Sequence, residues 1–290
     1  MFDYDVIIVG SGPAGVSASL YSIRGGLRTA IVSAGPGALK KAEKIENYYG
    51  IPSPLSGSEI HAIGEKQAEE LGVKIIRGQV VSVEYTGSFN VITNESSYSS
   101  GSLILATGST RKAPDIKGIS DFEGKGVSYC AVCDAFFYRK KPVAVIGEGQ
   151  YAFNEASELA NVTEDVSILT NGKEPETDFG HFSVITEKIT EIKGEEKVSS
   201  VMFESGREIK VNGVFIAQGV AGSTDIARKI GAFVKNGKIT VNEKMETSVP
   251  GLFAAGDCVG GILQINKAVY EGALAARSAI AYIKNQMNRN

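Results

Sequence analysis

An apolar strand that runs straight into a G-x-G loop and on into an amphipathic helix occurs twice in this chain of 290 residues, and few folds accept that order. The first copy is Val6-Ile7-Ile8-Val9, then Gly10-Ser11-Gly12-Pro13-Ala14-Gly15, then a helix expected to reach about Arg24. The second is Val143-Ala144-Val145-Ile146, then Gly147-Glu148-Gly149-Gln150-Tyr151-Ala152, then a helix expected through Leu159. In such a loop glycine omits the Cβ that would hold a phosphate away from the backbone, and the helix N-terminus turns unpaired N–H groups toward it. Both copies predict the opening of a dinucleotide-binding unit. The expected fold class is therefore α/β, with two nucleotide-binding, Rossmann-like domains. A glycine turn also serves plain strand–helix packing, so each copy needs support of its own.

The first copy has that support. Leu103-Ile104-Leu105-Ala106-Thr107-Gly108 reads as a buried strand ending in small residues, and Gly251-Leu252-Phe253-Ala254-Ala255-Gly256-Asp257 repeats the form near the C-terminus. Small residues at strand ends let a flat cofactor approach the backbone, and Asp257 offers an acceptor for a sugar hydroxyl. Together they point to an FAD site. Because residues 116–241 lie between these segments, the FAD-binding domain is expected to be discontinuous, 1–114 with 242–290, around an inserted domain at 115–241. Both borders, near 111–118 and 242–249, carry the Gly, Pro and charged residues of exposed crossings.

Composition narrows the function. A net charge of -3 with Lys and Arg scattered among Asp and Glu gives no reason to expect a nucleic-acid partner. No run approaches the roughly 18 apolar residues of a membrane span, and the first strand begins too early to leave room for a secretion signal. A cytoplasmic location is the expectation. Three cysteines cannot build a disulfide framework, and two of them form Cys130-x-x-Cys133. Zinc would need about four ligands, and Cys258, His61 and His181 are not spaced to complete a set, so no metal is expected. The pair then reads as a redox dithiol, in which one acidified thiolate attacks a disulfide near neutral pH, with two ordinary buried thiols as the plainer alternative. Cys258 reads either as a third redox thiol or as a small packing residue, and the histidines as ordinary surface or satisfied residues.

Taken together these residues resemble thioredoxin reductase of the short, homodimeric type over nearly the whole chain. The marks are Gly10-Ser11-Gly12-Pro13-Ala14-Gly15, Glu46-Asn47-Tyr48-Tyr49-Gly50, Ala106-Thr107-Gly108, Ser128-Tyr129-Cys130-Ala131-Val132-Cys133-Asp134, and Ala255-Gly256-Asp257 with Gln264. The resemblance implies cofactor contacts at Gly10, Gly12, Pro13, Ala14, Gly15, Asn47, Thr107, Gly108, Gly256, Asp257 and Gln264. It also implies that Cys133 is the thiol nearer the flavin, that Cys130 exchanges with the disulfide of thioredoxin, and that Asp134 handles the proton. Leu263 stands where the family usually has Arg, Ala38 where it usually has Gln, and Tyr270 where it usually has Gly. Tyr270 is left to cover the flavin or to fill a dimer contact.

The second glycine loop departs from the family. Ordinary members follow the next strand with a His-Arg-Arg segment and a further Arg that clamp the 2′-phosphate of NADPH. Here Val166-Ser167-Ile168-Leu169-Thr170 runs into Asn171-Gly172-Lys173-Glu174-Pro175-Glu176, without those arginines or the helix that should follow. Each charge-assisted phosphate contact is worth about 1.5 to 3 kcal/mol, so losing two costs roughly a hundredfold or more in affinity. The strand end also lacks the carboxylate that would select NADH, while Glu148 adds a negative charge and Tyr151 an obstructing ring. The chain thus looks most like the ferredoxin-dependent flavin thioredoxin reductases, with reduced ferredoxin as the implied donor. An NAD(P)H-dependent reductase and a dithiol oxidase using oxygen are the alternatives. Lys40, Lys41 and Lys44, or Arg139, Lys140 and Lys141, are candidate docking cations for an acidic ferredoxin, or simply solvated faces.

Overall fold

The computed structural model describes residues 2–51, 54–108, 114–218 and 222–288, apart from the side chains of residues 132 and 133. It divides into two compact units, residues 1–110 with 222–290, and residues 111–221. The first opens with β1 (Tyr4–Val9), α1 (Pro13–Arg24), β2 (Thr29–Ser33), α2 (Gly57–Glu70) and β3 (Lys74–Arg77). An antiparallel meander follows, β4 (Val80–Tyr85), β5 (Phe89–Thr93) and β6 (Ser97–Leu105). The strands lie in the order β3-β2-β1-β6-β5-β4, with β1 parallel to both its neighbours. That central place explains the unbroken apolar run Val6 to Val9, which is buried throughout and has no solvent face to alternate toward. Pro13 starts α1 at a position that needs no N–H donor and wants its fixed φ. A reciprocal capping box between Ser56 and Glu59 starts α2.

The second unit has β7 (Val127–Ser128), α3 (Ala131–Asp134), β8 (Val143–Ile146), α4 (Gln150–Ala160), β9 (Val166–Leu169) and β10 (Ser183–Ile185). Next come β11 (Ile189–Gly194), β12 (Val198–Phe203), β13 (Glu208–Lys210) and β14 (Gly213–Ile216). A parallel sheet, β10-β9-β8-β14-β7, packs its core with a three-stranded antiparallel sheet β11-β12-β13, bringing Ile146, Leu169, Val214, Ile192 and Phe203 into one cluster. From β9 to β10 the chain crosses without a helix, as the sequence suggested.

The chain then returns to the first unit with α5 (Ser223–Lys229), the short hairpin β15 (Val234–Lys235) and β16 (Lys238–Ile239), β17 (Leu252–Ala254) and α6 (Ile265–Met287). Strand β17 pairs with β6 from Leu103 to Leu105, completing a seven-stranded sheet. Its return lies at 222, earlier than the border expected near 242. Polar ties hold the intervening residues to the first unit: Ser223 with Thr107, Phe233 N–H to Ser248 Oγ, and Lys238 Nζ to the Asp257 carbonyl. Residues 109–113, part of the other border, lie outside the described residues. Among the described residues no helix is long and apolar enough to cross a membrane.

Candidate active site

Three strand ends converge at the first glycine loop. Gly10 has φ +107°, and a Cβ there would sit 2.5 Å from the Ala106 carbonyl oxygen, so the loop and the end of β6 close together only with glycine at this position. Gly15 is equally confined, with the Gly10 carbonyl 1.8 Å from where its Cβ would stand. Gly256 lies against Ala14, 3.0 Å from that methyl to its own missing Cβ. Gly12 differs, since among the described residues nothing lies within 4 Å of its missing Cβ. It is the N-cap of α1 and no side chain caps it, so the first-turn N–H groups of Ala14 and Gly15, behind Pro13, face an open cradle. That arrangement suits a pyrophosphate. Gly108 has φ +80°, and among the described residues nothing lies within 4 Å of its missing Cβ.

Residues that the sequence reading did not single out hold this cradle in shape. The Glu271 carboxylate accepts from Gly256 N–H at 2.9 Å and pairs with Lys267 at 3.0 Å, and Lys267 Nζ donates to the Gly256 carbonyl at 2.9 Å. A buried ion pair on α6 thereby fixes the turn that presents Asp257. Its only trace in the sequence is a Lys–Glu pair one helical turn apart. Thr107 exchanges hydrogen bonds with Ser223, Oγ1 to Oγ at 2.7 Å and Ser223 N–H to Thr107 Oγ1 at 2.9 Å. Asn47 and Gln264, far apart in sequence, meet through Nδ2 to Oε1 at 3.2 Å. Cys258 is fully buried, its thiol donating toward the Ala255 carbonyl at 3.3 Å. Burial pushes that thiol up to about 12, which makes it a packing residue and no thiolate.

Beneath the loop runs a buried polar chain. Ser11 Oγ contacts Ser33 Oγ at 2.7 Å and His61 Nε2 at 2.9 Å, His61 lies 3.4 Å from Glu65, and Arg77 grips Glu65 with two bonds of 2.7 Å. Burial lowers the His61 pKa below its ordinary value, outweighing the pull of Glu65. For Glu65 burial alone would raise the carboxyl, but Arg77, Ser11 and His61 together hold it below the usual range. His61 is a satisfied core residue, as one of the two sequence readings had it, but its place under the cofactor loop was not visible in the sequence. His181 stacks on Phe182, ring centroids 4.3 Å apart.

The dithiol sits in the second unit at the start of α3. Cys130 is 3% exposed and disulfide-bonded, while the side chain of Cys133 lies outside the described residues. Asp134 accepts from Ser128 Oγ at 2.6 Å, and the same hydroxyl oxygen accepts from Cys130 N–H at 3.1 Å. A single serine thus links Asp134 to the backbone of Cys130. Glu155, 1% exposed on α4, accepts from Ala131 N–H at 2.7 Å and steadies the first turn of α3. Just beyond, Phe136 and Phe137 are exposed, with Arg139 stacked over Phe136 at 5.4 Å.

Residues 4–272 match the family model described as pyridine nucleotide-disulphide oxidoreductase. The thioredoxin reductase of Aquifex aeolicus is 35% identical over 97% of this chain and 93% of its own. The chain belongs to the thioredoxin reductase family of these oxidoreductases. Its fold is also similar to the crystal structure of the atypical thioredoxin reductase TRi of Desulfovibrio vulgaris Hildenborough, with 39% identity, a TM-score of 0.90, and coverage of 97% of this chain and 98% of that one. A ferredoxin-flavin thioredoxin reductase from Clostridium acetobutylicum is 30% identical with a TM-score of 0.70, covering 97% and 98%. The cofactor of this thioredoxin reductase family member is FAD, and the open cradle over Gly12, the uncapped start of α1 and the small strand ends fit it.

Against that family background the second glycine loop is unusual. Glu148 is 4% exposed and is ion-paired with Lys173, the lysine in the segment after β9. No arginine stands in residues 166–182. Tyr151 does not obstruct the loop as expected: at 2% exposure it lies on the buried stripe of α4 with Glu155 and Leu159, spaced one turn apart, facing into its own unit.

Proposed function

We propose that this thioredoxin reductase takes electrons from reduced ferredoxin rather than from NADPH or NADH, and delivers them through Cys130 and Cys133 to the disulfide of thioredoxin. The observation that carries the choice of donor is the engagement of Lys173. Lys173, the one lysine in residues 166–182, is paired with Glu148, and that segment offers no arginine beside it. The similarity to a ferredoxin-flavin thioredoxin reductase supports the same reading.

FAD, held by the first glycine loop from Gly10 to Gly15 and the turn at Gly256 and Asp257, would supply two-electron redox chemistry to the Cys130/Cys133 pair. In the reduced dithiol the Cys130 thiolate attacks one sulfur of the thioredoxin disulfide and forms a mixed disulfide. Cys133, the thiol nearer the flavin, then attacks Cys130 sulfur, which re-forms the enzyme disulfide and releases reduced thioredoxin. Asp134, held by Ser128, passes the proton between thiol and leaving thiolate. Cys130 is buried, so exchange requires that it first be uncovered. Exposed Phe136 and Phe137 offer an apolar contact for the incoming protein, and Arg139, Lys140 and Lys141 or Lys40, Lys41 and Lys44 a basic one for ferredoxin. A homodimer is proposed through α1 and α2, where Tyr21 and Ile63 are exposed beside an apolar cavity of about 230 Å³. The dithiol chemistry suits the reducing cytoplasm.

Anaerobic steady-state reduction of thioredoxin with NADPH, NADH and reduced ferredoxin, each at low and high salt, tests the donor. Turnover is expected with ferredoxin alone and should weaken as salt rises, because exposed charges are screened over about 10 Å at 0.1 M. Rapid turnover with NADPH and none with ferredoxin overturns the reading.

A further inference from the structure

The second glycine loop keeps the backbone of a dinucleotide cradle. A Cβ on Gly147 would stand 2.3 Å from the Ala217 carbonyl oxygen, so this glycine is required for packing as in any such unit. Gly149 is the N-cap of the eleven-residue α4, and no side chain caps it through a hydrogen bond. What faces Gly149 is a carboxylate. Glu176 Oε2 lies 3.2 Å from the position of its missing Cβ, on the side that is open over Gly12 in the first loop.

Several contacts bring that carboxylate there. After β9 the chain turns through Asn171 at φ +53° and Gly172 at φ +82°, and Asn171 Oδ1 accepts from Ile189 N–H at 2.9 Å. Lys173 pairs with Glu148, Glu176 N–H donates to the Glu148 carbonyl at 2.7 Å, and Thr177 Oγ1 donates to Gln150 Oε1 at 3.1 Å. Glu148 is nine-tenths buried, and among the described residues its Oε2 has no hydrogen-bond partner. Two carboxylates therefore crowd the positive end of α4, where a pyrophosphate would otherwise bind.

We propose that residues 170–177 form a strap in which Glu176 is a built-in anion, solvent-exposed but held beside Gly149 at the start of α4 where it opposes a pyrophosphate, with the strap latched by the Lys173–Glu148 pair. Nucleotide exclusion is then an acquired property of these side chains, additional to the missing arginines. This inference deepens the donor assignment and rests on it for its biological sense, but it fails or stands by a separate measurement.

The probes are inorganic pyrophosphate and ADP, titrated calorimetrically into the FAD-loaded protein, with the flavin spectrum as the check of folding. The unaltered protein should show no binding in the millimolar range. Glu176→Gln, which keeps the volume and removes the charge, should gain affinity by at least about tenfold, since a like charge beside a bound anion opposes it. Glu148→Gly combined with Glu176→Gln should gain more, because it also frees the Lys173 ammonium for the phosphates, and that gain should fall with salt. Millimolar or tighter binding to the unaltered protein overturns the strap. So does a Glu176→Gln protein with a normal flavin spectrum and no gain, or a gain seen only with Glu176→Gly, which would make the cover steric rather than anionic. A donor other than ferredoxin that is not a nucleotide would sink the donor assignment and leave the strap intact.

Discussion

The two glycine loops of this chain have the same backbone plan and opposite occupancy. Among the described residues there is open space over Gly12 and no anion beside the start of α1; beside Gly149 stands Glu176, with Glu148 buried. Helix N-terminus and glycine turn are common to both, so these features by themselves do not make a nucleotide site. The difference lies in which side chains are brought to the loop from elsewhere in the chain. At the first loop these are Glu271 and Lys267, which fix the neighbouring turn and leave the cradle clear. At the second they are Lys173, paired with Glu148, and Glu176, whose carboxylate comes to 3.2 Å from the missing Cβ of Gly149.

The largest test of this contrast is to place a methyl group in each loop. Gly10→Ala puts a Cβ 2.5 Å from the Ala106 carbonyl oxygen at a φ of +107°, and should yield protein without FAD or reductase activity. Gly149→Ala meets only the movable end of Glu176 and should keep both FAD and ferredoxin-driven thioredoxin reduction. Equal loss of flavin absorbance in the two variants would erase the distinction between the loops.

Cys130→Ser and Cys133→Ser should each abolish thioredoxin reduction while flavin absorbance stays, because the first loop lies in the other unit from the dithiol. Asp134→Asn should slow turnover by about 10²-fold or more, as loss of a positioned acid–base group does. Single-turnover disulfide exchange measures both, and near-normal exchange in either serine variant contradicts the relay.

A smaller effect is expected from the support of the first cradle. Lys267→Met leaves the buried Glu271 carboxylate without its cation, a change that costs about 3 kcal/mol when one partner of a buried pair is removed. Denaturant unfolding should register that loss, and the variant should release FAD on dilution more readily than the parent. Unchanged stability would mean that the pair is dispensable.

The buried chain below Ser11 predicts a pH effect of defined sign. His61 and Glu65 both have folded-state pKa values below their ordinary ones, so their contribution is full above the unfolded values and is lost as pH falls through the folded ones. For His61 the loss begins below its ordinary value of 6.5 and continues toward acid. Melting temperature should therefore drop between about pH 7 and 5, and His61→Asn should flatten that part of the curve. A parallel curve for the variant removes His61 from the account. The least visible effect concerns Cys258: with its thiol pushed up to about 12, it should resist a thiol reagent at pH 8 until the protein unfolds. Stoichiometric labelling of native Cys130→Ser/Cys133→Ser protein would contradict this.

Much of the architecture was legible because it is local. The strands Val6–Val9 and Val143–Ile146, the helices that follow them and the seam with β17 all announce themselves by period, glycine and small strand ends. The return to the first unit was misplaced by some twenty residues, 222 against the expected 242, because its ties are scattered hydrogen bonds of Ser223, Phe233 and Lys238 that no periodicity records. Tyr151 was misread for a related reason. Its place in the G-x-G pattern suggested a ring over the loop, whereas helical phase sets it on the buried face with Glu155 and Leu159.

The sequence by itself determined the class of protein: two nucleotide folds, FAD at the first loop, a Cys-x-x-Cys dithiol ahead of the second, and the loss of the arginines after β9. Only the tertiary structure decided how the loops differ. Residues 61, 65 and 77 come under one loop, 267 and 271 beside it, and 173 and 176 over the other, through contacts between segments remote or unpatterned in sequence. Glycine spacing fixes the shape a backbone can take, because it is set by sterics within a few residues. What fills that shape depends on charges delivered by the fold, and their cost or benefit exists only once burial has removed the water between them.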